Sequence, residues 1–116
     1  MRNREFIALT ILFSFQISAA FTQPEMTQLR EINEKYIKEE IDARKKLELA
    51  IKEAIVNLPK EKSNILKLHE LWGQTTKIKC RLAILDSLNT DAETANKYEC
   101  LANEYTAEAH FLNGTY

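Results

Sequence analysis

LREINEKYIKEEIDARKKLELAIKEAIVNL, residues 29–58, is the stretch that decides the fold. Leu29, Ile32, Tyr36, Ala43, Leu47, Ile51, Ala54 and Leu58 recur mostly at steps of three and four, with lysine and glutamate between them. That is the period of one buried face on an α-helix. The spacing predicts a single helix from about Glu25 to Asn57. Pro24 stands at or near its start and Pro59 ends it, because proline fits a first helical turn and not an interior. At 1.5 Å per residue such a helix is roughly 50 Å long. A bundle of this size cannot match that length, so the helix must bend or project.

Working outward, a second segment starts within Lys60 to Ser63 and carries Ile65, Leu68, Trp72, Ile78, Leu82 and Leu85 towards the core. Gly73, Thr75 and Thr76 are weak helix formers at its middle, where a kink or a close backbone contact is expected. A third segment opens with Thr90-Asp91-Ala92-Glu93. This fits a capping box in which Thr90 caps the first turn and Glu93 reaches back. It continues through Ala95, Tyr98, Leu101, Ala102, Tyr105, Ala109 and Leu112, and Gly114 can terminate it. The expected fold is all-α, a three-helix antiparallel bundle with a long first helix.

Composition excludes the main alternatives. The chain has 116 residues, 45% of them hydrophobic, with a formal charge of -1. Disordered chains pair low hydrophobicity with high net charge, which this one does not. Two glycines and two prolines cannot supply the turns of a β-sandwich. A pI near 6.1 lacks the basic footprint of a nucleic-acid binder.

Residues 1–20 read as a signal peptide. Arg2 and Arg4 form a basic start, Phe6 to Phe15 an apolar run, and Ser18, Ala19 and Ala20 a small-residue cleavage site. The apolar stretch is shorter than the ~20 residues that span a bilayer. No cysteine lies near the cut, so no lipid anchor and no stable membrane attachment is expected after cleavage. A single helical domain, 21–116, then remains in the periplasm or outside the cell.

Export places Cys80 and Cys100 in an oxidising compartment, where they are expected to bond to each other. This staples helix two to helix three. On the chain-entropy model, closing a loop of about twenty residues contributes roughly 3 kcal/mol. Charge is also divided. Lys60 to Leu82 holds six basic residues against Glu61 and Glu70, whereas Ala83 to Tyr116 holds six acids against Lys97 alone. Either the two segments pair with each other or one of them meets a partner.

Chemistry is sparse. No nucleophilic triad, phosphate-cradling loop or metal-ligand spacing stands out, and neither an enzyme nor a cofactor or metal is expected. His69 and His110 lack ligand-spaced companions and read as ordinary surface or boundary residues. Glu39 and Glu40 are adjacent on a helix and point different ways. Asn113-Gly114-Thr115 has the form of a glycosylation sequon. A small oxidised helical domain of this kind suits binding.

Three local patterns stand in order, Ile32-Asn33-x-x-Tyr36, Leu68-x-x-x-Trp72 followed by Cys80, and Cys100 followed by Leu112, and together they resemble the bacterial LprI-type lysozyme inhibitor family of small exported proteins. Ile32-Asn33-x-x-Tyr36 looks like that family's Leu-Asn-x-x-Tyr start. Leu68-x-x-x-Trp72, with Cys80 after seven further residues, resembles its Trp-x7-Cys element, and Cys100 with Leu112 resembles its C-terminal Cys and Leu. The resemblance runs from about Leu29 to Leu112. This chain departs from the family pattern at His69 (commonly Gln), at Thr76 and Lys77 (commonly Arg-Asp) and at Lys79 (usually acidic), and it lacks a glycine-rich stretch between the cysteines.

The resemblance implies a periplasmic or secreted protein that binds and inhibits lysozyme. Animal lysozymes are strongly basic, so the acids of helix three, Asp91, Glu93, Glu99, Glu104 and Glu108, form the expected contact set. Tyr36, Leu68, Trp72 and Leu112 are assigned to the structural core. Two other readings fit the same small exported helical protein. One is an immunity protein against a cell-wall amidase toxin, and the other is an exported assembly module whose first helix pairs with a partner helix.

Overall fold

The first helix, α1, runs from Gln23 to Asn57 without interruption. The computed structural model describes residues 23–114. The expected leader with its cleavage site, and Thr115 of the sequon, lie outside the described residues. Burial along α1 follows the expected stripe in its C-terminal half, at Ala43, Leu47, Ile51 and Ala54, and adds Glu40 and Ala50. Towards the start the stripe weakens, for Leu29 and Tyr36 are half-buried and Ile32 is exposed. The compact unit that holds the core extends from Glu31 onwards.

Leu58 closes α1 with a hydrogen bond from its N–H to the Ala54 carbonyl at 2.8 Å, and Pro59–Glu61 forms one 3-10 turn. The second helix, α2, spans Lys62–Ala83, and the third, α3, spans Glu93–Asn113. No strand occurs among the described residues. The architecture is the expected three-helix antiparallel bundle. Its apolar core lies where the last half of α1 meets the first half of α2 and the last half of α3, in a cluster of Leu47, Ala50, Ile51, Ala54, Ile65, Ala109 and Leu112. Leu68 and Tyr105 pack against it, half-buried, and Leu112 is only 2% exposed.

Four details differ from the sequence expectation. Helix α2 continues unbroken through Gly73, and a Cβ added there would meet nothing within 4 Å, so no close approach explains the glycine. Its buried stripe is Ile65, Thr76 and Cys80, continued by Ile84 beyond the helix end, while Ile78, Leu82 and Leu85 are exposed. Geometry explains the swap. Ile78 is two residues from both Thr76 and Cys80, and two helical residues subtend about 200°, which takes it out of the buried stripe.

The connection between α2 and α3 accounts for the third difference. A 3-10 turn at Leu85–Ser87 leads to Asn89, whose φ of 62° lies in the left-handed region that asparagine tolerates better than most residues. The Thr90 hydroxyl donates to the Ser87 carbonyl at 2.6 Å and accepts from the Ala92 N–H at 3.3 Å. Glu93 reaches back to the Asn89 N–H at 3.2 Å. The expected capping box is therefore replaced by a capped turn, because the helix begins at Glu93 rather than just after Thr90. Lastly, Gly114 ends α3 as expected, but with φ -90°, so the left-handed freedom of glycine is not used.

Candidate functional site

The α2–α3 interface carries a disulfide and a series of polar contacts between helices. At its turn end Cys80 and Cys100 are bonded, with Cα atoms 5.6 Å apart, joining the last turn of α2 to the second turn of α3. That spacing is ordinary for a disulfide. Further along, Trp72 Nε1 donates to Glu104 Oε2 at 3.3 Å, and Lys79 Nζ donates to Glu104 Oε1. One carboxylate thus binds two α2 side chains, one with each oxygen. Beyond it His69 Nδ1 lies 2.7 Å from Glu108 Oε2. With Glu108 ionised, the Nδ1–H donates. The Trp72 ring also meets Phe111, with centroids 6.1 Å apart and planes tilted by 46°.

Glu108 is 2% exposed. Burial pushes its carboxyl above the ordinary range, and the hydrogen bond and charge of His69 offset part of that rise. Tyr105, three residues earlier, faces α1. Its phenol is raised first by burial and then by the Glu40 carboxylate, with Arg44 acting in the opposite direction and Glu108 adding a little more. Glu40 is itself buried and lies 3.7 Å from Arg44 one turn on. All three helices therefore place charge or hydrogen-bonding groups in one region just above the apolar core. Thr76 Oγ1 and Asn33 Oδ1 are buried without a hydrogen-bond partner.

The five acids expected to form one contact face do not share a face. Asp91 and Glu99 are exposed, and Glu93 is half-buried and engaged by the turn. Glu104 and Glu108 point inward to α2. The spacing explains why. Glu104, Glu108 and Leu112 succeed one another at steps of four, and Leu112 is a core position, so the two acids continue a buried stripe. His69, expected to be an ordinary boundary residue, has a half-exposed ring tied to the most buried carboxylate of α3. His110 is exposed. Among the expected core residues Leu112 is buried, and Tyr36, Leu68 and Trp72 are half-buried. Of the two readings of the charge split, Lys79 and Glu104 exemplify pairing within the molecule.

Among the described residues no group of three or more His, Cys, Asp or Glu side chains is placed to hold a metal ion. Set against protein-family models, curated proteins and solved structures, the chain matches none. The fold and the site define a small disulfide-tied three-helix protein whose hairpin is fixed by one covalent and several polar links.

Proposed function

We propose that the protein is exported from a bacterial cell and inhibits a peptidoglycan hydrolase of lysozyme type by binding to it. The observation that carries this reading is the resemblance of Trp72-x7-Cys80, Cys100 and Leu112 to the LprI-type inhibitors. It is supported by the joint use of those residues: the disulfide, the Trp72 bond to Glu104 and the buried Leu112 all hold one hairpin in shape. A binder gains affinity when its surface is ordered before the encounter, because ordering on binding costs free energy.

Of the five expected contact acids, Asp91 and Glu99 are the two exposed to meet a basic hydrolase. Glu104 and Glu108 serve the proposed interface indirectly, by fixing α2 against α3. The experiment is a lysis assay. The full chain is expressed with its leader, recovered in oxidised form, and added to peptidoglycan with a c-type lysozyme. Slowing at near-stoichiometric ratio is expected, and unchanged lysis at tenfold excess overturns the reading for that hydrolase class. Asp91→Lys with Glu99→Lys is expected to slow association several-fold at low salt and to flatten its salt dependence.

A further inference from the structure

A groove of about 530 Å³ runs along the turn end of the hairpin, on a flank that α1 does not line. Its apolar walls are Ile78, Leu82, Ile84 and Leu101, with Cys80 at the base. Ile78 and Leu82 are more than 60% exposed, an unusual state for large aliphatic side chains so close together. Lys77, Arg81 and Lys97 line the same groove, and its one acid, Glu93, is engaged by the Asn89 N–H. The disulfide joins the two walls and so holds their separation.

Chemistry narrows the occupant. The apolar part is entirely aliphatic apart from the disulfide sulfur, with no aromatic ring to stack on a base or sugar and no amide to read one. Such a surface distinguishes only an alkyl chain. The wall formed by α2 and the Ile84 that follows it runs from Lys77 to Ile84, about 10 Å at helical rise. That is too short for a partner helix, since stable protein interfaces bury upwards of roughly 1,000 Å². The volume instead falls within the range of small-molecule sites. Three cations from two helices around an aliphatic floor complement one anionic head on one chain. We infer that this groove binds the carboxylate of a medium-chain fatty acid, its chain along Ile78, Leu82, Ile84 and Leu101 and its head between Lys77, Arg81 and Lys97. This site is separate from the exposed acids of the proposed hydrolase interface and does not depend on that reading.

The test uses methyl NMR spectra of the oxidised full chain, labelled at isoleucine and leucine, with octanoate, decanoate and dodecanoate kept below their micelle-forming concentrations. Saturable shifts confined to Ile78, Leu82, Ile84 and Leu101 are expected. Affinity should rise about fourfold per added methylene while the chain still fits. Decanol, which has no charge, should bind at least tenfold more weakly than decanoate. Arg81→Glu with Lys97→Glu should weaken decanoate at least tenfold and leave decanol unchanged. All three basic side chains are exposed, so these variants are expected to fold, with circular dichroism as the check. The inference is overturned by absent shifts, by equal shifts at the exposed Leu49, Val56, Leu66 and Leu71, or by decanoate affinity that ignores the charge reversal.

Discussion

The two ends of the α2–α3 hairpin are held by different physics. At the end where α1 packs, Leu47, Ile51, Ala54, Ile65, Ala109 and Leu112 exclude water, and stability comes from buried apolar area. At the turn end Ile78, Leu82 and Leu85 face solvent. There the helices are joined by the disulfide, with the Trp72, Lys79 and Glu104 links following towards the middle of the hairpin. A small chain has too little apolar surface to build one core along a helix as long as α1. It concentrates that surface at one end and ties the other covalently.

Leu112→Ala strikes the apolar end and is the largest expected loss, about 2–5 kcal/mol from lost transfer energy and the cavity left behind. Urea denaturation followed by far-UV circular dichroism measures it. Cys80→Ala with Cys100→Ala strikes the tied end and should cost roughly 3 kcal/mol. Hydrogen exchange should then show the turn end opening before the apolar end; simultaneous opening would erase the distinction drawn between them.

Thr76→Val replaces a buried hydroxyl without a partner by a methyl of similar shape, and should stabilise the protein by about 1 kcal/mol. Gly73→Ala, in open space on a continuous helix, should add about 0.5–1 kcal/mol. A thermal shift resolves both. Smallest is a pH effect. Because burial raises the Glu108 carboxyl, this group favours the folded state most below its unfolded value near 4.5. That contribution is lost as pH rises through the raised folded value. Glu108→Gln keeps an acceptor for His69 and cannot ionise, so it should flatten this part of the stability profile. An unaltered slope between pH 4 and 8 would remove Glu108 as its source.

Much of this was legible in the sequence because it rests on local periodicity. The three- and four-residue steps of α1, the proline that ends it and the single possible cysteine pair needed no tertiary information. The candidate site is less legible there. Glu104 and Glu108 looked like surface charge, since a carboxylate declares its burial only when a partner such as His69 or Lys79 is known to face it. Ile78 and Leu82 looked like core because their hydrophobicity says nothing about which side of the helix its neighbours occupy.

By itself the sequence determined the helices, their order and the staple, for these follow from backbone preference, residue period and the chemistry of two thiols. Only the tertiary structure decided which stripe of α2 turned inward. It thereby set which acids were paired and which were free, and left an aliphatic groove open beside three cations. The reason is geometric: an amphipathic helix with a broad apolar face can be buried through more than one stripe, and the choice belongs to the helices packed against it.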